Sequence, residues 1–257
     1  MSVFEIWTAF LTIVTKEIRR YLRIWPQTLL PPAITMSLYF VIFGALIGSR
    51  IGEMGGFSYM EFVVPGLIMM SVVTNSYSNT VSSFFGTKYN HSLEELLVSP
   101  TPNWIILAGY VVGSVSRGLL VAIIVTCLSL FFSDLHVQHL GITVLVVLMT
   151  AILFSLFGFI NAVYANSFDD ISIVPTFVLT PLIYLGGVFY SLDLLPDFWA
   201  GVSKLNPLVY VVNGFRYGVL GVSDVNVGVA LGMICLFTVA TLAFCLRLLH
   251  TGSRLRE

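Results

Sequence analysis

"LGITVLVVLMTAILFSLFGFINAVYA" occupies residues 140–165 and carries no charged side chain. About 20 mostly apolar residues in a helix cross the hydrocarbon core of a bilayer, and the helix satisfies every backbone polar group within itself. This stretch passes that test. So do five more, at roughly 27–48, 60–85, 104–132, 171–191 and 226–248. The expected fold is an all-α integral membrane protein with six transmembrane helices in one domain, 1–257. Spans one to five fall within 27–191 and span six at 226–248.

Composition points the same way. The chain is 57% hydrophobic and 10% charged, against about 25% charged residues in an ordinary soluble domain. Its mean hydropathy is +0.95. A net charge of −1 offers no large basic surface, so nucleic acid is not an expected partner. Cys127, Cys235 and Cys245 lie in apolar runs without metal-ligand spacing and read as buried small hydrophobes. The first apolar stretch is interrupted by Glu5 and followed by Lys16, Glu17, Arg19 and Arg20. No small-residue cleavage site follows, so it does not read as a signal peptide.

An even number of spans leaves both termini on one side. Lys16, Arg19, Arg20, Arg23, Lys88, Arg247, Arg254 and Arg256 fall on that side, against Arg50, Lys204 and Arg216 opposite. Basic residues favour the inner side, so both termini are expected in the cytoplasm. Residues 1–24 are amphipathic: Phe4, Trp7, Phe10, Leu11 and Val14 share a face ahead of the basic cluster, as in a helix lying in the inner interface. Residues 194–221 are apolar but broken at Asn206-Pro207 and punctuated by Lys204 and Arg216. Two short helices that dip in from the outer side and return, a re-entrant hairpin, fit this stretch where protein or water covers them. Gly44/Gly48, Gly109/Gly113 and Gly228/Gly232 have the spacing of close helix contacts.

Between the second and third spans lies "HSLEELLVSP", residues 91–100. Ser92 and Glu95 have capping-box spacing, Leu93, Leu96 and Leu97 share a helical face, and Pro100 ends the run. It reads as a short capped helix on the cytoplasmic side. The turn "NSFDDIS" (166–172) lies on the same side, and Asp169 and Asp170 are expected to cap the fifth helix.

No catalytic constellation is present: the sequence contains no GxxxxGK[ST], HExxH or GxSxG. His91, His136, His139 and His250 are scattered at segment edges, and Ser116 has no histidine at its depth. The chain is not expected to be an enzyme or to bind a cofactor or metal. Arg117 is the one charge deep in a span. It is open to two readings, an ion pair with Glu61 that packs helices or a contact to substrate. In the hairpin, Tyr210, Phe215, Arg216 and Tyr217 are candidates for lining the path or for packing; the aromatics could form a lid or anchor the interface. Without an ion relay or a nucleotide site, energy must come from another chain.

The stretches "KEIRRYLRIWPQTLLPPAITMSLYFVIFG" (16–44), "YMEFVVPGLIMMSV" (59–72), "EELLVSP" (94–100), "FDDISIVPTFVLTPLIYLGGVFYSL" (168–192) and "LNPLVYVVNGFRYG" (205–218) together resemble ABC-2-type transporter permeases over essentially the whole chain. The resemblance implies six spans, an N-terminal interfacial helix, a re-entrant hairpin before the last span, and residence in the bacterial inner (plasma) membrane. It also implies an exporter in which two copies of the permease form the path and work with two separate ABC ATPase subunits. ATP and magnesium would then bind in those partners. Residues 92–99 occupy the place of the family's cytoplasmic coupling helix, which makes Ser92, Leu93, Glu94, Glu95, Leu96 and Leu97 the expected ATPase contacts. An ion-coupled carrier or channel working without an ATPase is the alternative, and a membrane scaffold without transport a third class.

Overall fold

The computed structural model describes residues 2–252; Arg254, Arg256 and Glu257 lie outside the described residues. Ten helices carry the fold among them: α1 (Val3–Arg23), α2 (Trp25–Gly48), α3 (Tyr59–Tyr89), α4 (Ser92–Val98), α5 (Asn103–Ser129), α6 (Leu140–Tyr164), α7 (Asp170–Tyr184), α8 (Asp197–Ser203), α9 (Pro207–Leu220) and α10 (Val227–Thr251). A two-stranded hairpin, β1 (Glu53–Met54) with β2 (Phe57–Ser58), links α2 to α3. Its turn is Gly55-Gly56, both at positive φ, a conformation that favours residues without a Cβ.

The protein is an all-α membrane protein. Among the described residues, four helices are long and apolar enough to cross a bilayer: α2, α5, α6 and α10. The two remaining expected spans differ for separate reasons. The 31 residues of α3 give ample length, but the helix sits at the centre of the bundle and is buried on nearly every side against α5, α6 and α9. A helix shielded from lipid can carry Asn75, Ser76, Asn79, Thr80, Ser83 and Thr87 on its buried faces, and these lower its hydropathy. The fifth segment forms the shorter helix α7, built of three consecutive five-residue pieces with a π-helical turn at Pro175–Leu179. The chain turns away at Gly187, at φ +75.

α1 starts with a complete capping box. Ser2 Oγ accepts from the Glu5 amide at 3.3 Å, and Glu5 Oε2 accepts from the Ser2 amide at 2.8 Å. Of its expected apolar face, Phe4, Trp7 and Leu11 are exposed and Phe10 and Val14 half-buried. The adjoining stripe places Ile13, Glu17 and Tyr21 against α5. A Cβ at Gly109 would collide with Ile13, and one at Gly113 with Glu17, so this glycine pair is the seat of α1. Gly228 and Gly232 are exposed instead, with no other helix close to them.

Two apolar clusters fill the bundle. One joins α2, α3, α6, α9 and α10 around Phe62, Leu67 and Phe215. The other joins α3 to α4, α5, α6 and α10 around Phe84, Leu93, Ile106 and Phe159. The cysteine expectation holds only for Cys245; Cys127 and Cys235 are exposed. In a membrane-spanning helix the outward face is apolar too, so an apolar neighbourhood in sequence does not imply burial.

Candidate functional site

α4 forms where expected, but its first turn is built differently. The residue before it, His91, adopts a left-handed conformation at φ 57, and no side chain caps the helix. The chain reverses so tightly after α3 that Ser92 is already inside the helix. Its hydroxyl donates back to the Thr87 carbonyl at 3.2 Å. The expected Ser92–Glu95 capping box is therefore absent.

The leucine face of α4 is turned towards the protein's own helices. Leu93 is 1% exposed and joins the second cluster, with Leu96 and Leu97 packed half-buried beside it. The outward residues are Glu94, Glu95 and Val98, the last 87% exposed. Of the expected ATPase contacts, Leu93 is taken up by the bundle, because in a short helix against a bundle burying the apolar face locally wins. A cleft of about 620 Å3 separates α4 from α1, lined by Phe4, Glu5, Thr8, Lys16, Glu95 and Leu96 among others.

Lys88 does more than supply positive charge. Its ammonium donates to the carbonyls of Val163 at 2.9 Å and Ala165 at 3.0 Å, at the C-terminal end of α6. Phe168 in the next turn packs edge-on against Phe85 (5.0 Å between centroids) and Tyr89 (4.9 Å). Asp170 Oδ2 accepts from the amides of Asn166 at 2.9 Å and Ser167 at 3.1 Å, and Ser167 Oγ accepts from the Asp170 amide at 3.2 Å. Asp170 and Ser167 thus close the turn ahead of α7 on each other, while Asp169 makes no side-chain cap. The Asn166 amide, followed by Ser167, holds the Asp170 carboxyl below its ordinary pKa.

Arg117 is not paired with Glu61. Glu61 closes a capping box with Ser58 at the other end of α3, accepting from the Ser58 amide at 2.9 Å. Arg117 Nη2 donates to Asn75 Oδ1 at 3.1 Å and to the Thr28 carbonyl at 3.2 Å, and Nη1 reaches Asn79 Oδ1 at 3.5 Å. Thr28 stands four residues before Pro32, which has no N–H to offer a helical bond, so the arginine fills the place of that donor. Arg20 converges on the same amide, donating to Asn79 Oδ1 at 2.8 Å. Asn79 Nδ2 donates in turn to Ser114 Oγ at 2.9 Å. Glu17, fully buried on α1, pairs with Arg20 at 3.4 Å. The four-residue spacing of Asn75 and Asn79 on one helical face was the available signal for this cluster.

Arg216 is the more deeply buried arginine, at 0% exposure. Its guanidinium lies 3.8 Å from the centre of the Phe62 ring, Nη2 donates to the Gly187 carbonyl at 2.7 Å, and Nη1 pairs with Asp224 at 3.8 Å. Asp224 also accepts from Ser191 Oγ and the Leu192 amide, each at 2.9 Å. These bonds tie α9 to the loop after α7. The hairpin aromatics pack: Tyr210 and Phe215 are buried, and the Tyr210 hydroxyl donates to the Lys204 carbonyl at 2.6 Å. Tyr217 stacks on His139 at 4.9 Å. The expected break at Asn206-Pro207 is present, with Asn206 Oδ1 accepting from the Leu208 amide at 3.0 Å.

A family model described as ABC-2 type transporter matches residues 8–220, from the first turns of α1 to the last residue of α9. The chain belongs to the ABC-2 type transporter family. The inner membrane transport permease YadH of Escherichia coli (strain K12) is 59% identical over 251 residues, covering 98% of each chain. Nodulation protein J of Rhizobium leguminosarum bv. viciae is 24% identical over 203 residues, 79% of this chain and 78% of its own. The ABC-2 permease described above is thus the membrane subunit of an ABC transporter, and α4 lies inside the matched stretch.

Proposed function

We propose that this permease is half of the membrane part of an exporter in the bacterial inner membrane. Two copies form the path, and two separate ATPase subunits, carrying ATP and magnesium, drive it from the cytoplasm. In this reading α2, α3, α5, α6, α7 and α10 are the six spans, α1 lies at the inner interface, α8 and α9 are the re-entrant pair, and both termini are cytoplasmic. The name and close similarity of YadH support the inner-membrane location. The observation that carries the coupling role is the division of α4 into two faces. Leu93 anchors the helix to the bundle, while Glu94, Glu95 and Val98 are left for another molecule. An anchored helix transmits force, and an acidic outer face suits basic groups on a protein better than an anionic lipid surface.

The test uses the permease expressed with its ATPase. Reversing both charges, Glu94→Lys with Glu95→Lys, is expected to leave permease abundance unchanged. ATPase retention and ATP turnover in the complex should be lost. Undiminished retention and turnover would refute the docking role of α4, and transport that persists without ATP would favour an ion-coupled carrier.

A further inference from the structure

We infer that Lys88 and Phe168 join the two inner turns into one lever, so that movement of α4 is delivered to α7. This rests on the reading of α4 as the ATPase contact. The two turns are far apart in sequence and belong to different helical pairs, α3–α5 and α6–α7. A coupling helix fixed only to its own pair would move that pair alone. Here Lys88, three residues before the tight reversal at His91 that leads into α4, holds two carbonyls at the end of α6. Phe168 is gripped edge-on by Phe85 and Tyr89 of α3. Leu93 shares its cluster with Val163 and Ala165.

The far end of the lever is stiff in its first part and soft beyond it. Asp170 pins the amides of Asn166 and Ser167, and Asn161 Nδ2 donates to the Ile171 carbonyl at 3.2 Å, so the turn moves with α6 and the start of α7 as one piece. The next residues are the π-helical turn Pro175–Leu179, a weak point in the hydrogen-bond ladder. A displacement arriving at Asp170 therefore bends α7 there rather than dissipating in the loop. Lys88 is a positioning residue that acts through the end of α6.

The experiment is hydrogen–deuterium exchange on the full permease–ATPase complex, with and without ATP plus vanadate as the probe. In the wild type, nucleotide trapping is expected to change exchange in both 86–98 and 165–179. In Lys88→Met the change at 86–98 and the ATP turnover should remain, the change at 165–179 should be lost, and Lys88→Arg should restore it. Phe168→Ala, which leaves the lysine bonds in place, should weaken the same response and decides the matter if Lys88→Met does not accumulate. A response at 165–179 that survives both variants overturns the lever while leaving the docking role of α4 intact. A wild-type complex with no response at 86–98 refutes that docking role, and the lever with it.

Discussion

Arg117 and Arg216 solve one problem in two ways. Each guanidinium is withdrawn into the bundle, and each donates to a carbonyl outside regular helical bonding: Thr28, opposite Pro32, and Gly187, beyond the end of α7. They differ in the rest of the shell. Arg117 is surrounded by the neutral oxygens of Asn75 and Asn79, with Arg20 close by, whereas Arg216 has the carboxylate of Asp224 and the face of Phe62. A buried arginine in this protein therefore acts as a pin for interrupted backbone. The ring and the acid at Arg216 also make that site intolerant of change, because removing either charge strands the other.

The largest expected effect is at Arg216. Arg216→Met leaves Asp224 and the Gly187 carbonyl without their donor, and loss of one partner from a buried pair costs about 3–5 kcal/mol. Thermal unfolding of the purified permease should show a large drop. Arg216→Lys should recover little of it, since a single ammonium cannot stack on Phe62 while reaching both oxygens. Wild-type stability in Arg216→Met would end the distinction between the two arginines.

A smaller loss is expected at Arg117. Arg117→Met removes charge-assisted bonds to neutral oxygens, worth about 1.5–3 kcal/mol, and should loosen the start of α2 without unfolding the bundle. Combined with Glu61→Gln, the effects should add to within about 0.5 kcal/mol, as for sites with no shared partner. A clear departure from additivity in unfolding experiments would restore the Arg117–Glu61 pair.

The smallest effect belongs to a charge outside the bundle. The carboxyl of Asp170 is held below its ordinary pKa by the Asn166 amide and Ser167. Its contribution is present above the unfolded-state pKa and disappears as pH falls through the depressed folded-state value. Asp170→Asn should slightly lower the unfolding temperature at neutral pH and remove this part of the acid dependence. An unchanged acid limb would mean that the turn does not need the charge.

Much of the architecture was legible in the residues. Hydropathy marked α2, α5, α6 and α10, and Asn206-Pro207 marked the break between α8 and α9. The site was less legible. Ser92 and Glu95 have the right spacing for a capping box, as do Ser2–Glu5 and Ser58–Glu61, yet only the latter two pairs close one. The difference is the approach of the chain: Ser2 and Ser58 precede their helices, whereas the left-handed turn at His91 places Ser92 within its own.

The sequence by itself determined membrane residence, helical class, family and the position of α4, because apolar length, turn residues and recurrent motifs are local properties. Only the tertiary structure decided which oxygens hold each arginine, which face of α4 is free, which cysteines are exposed, and that Lys88 grips the end of α6. Those outcomes depend on residues distant in sequence meeting in space, as Lys88 meets Val163 and Arg117 meets Thr28. A polar side chain taken out of water must find a partner, and helix packing decides which one lies within reach.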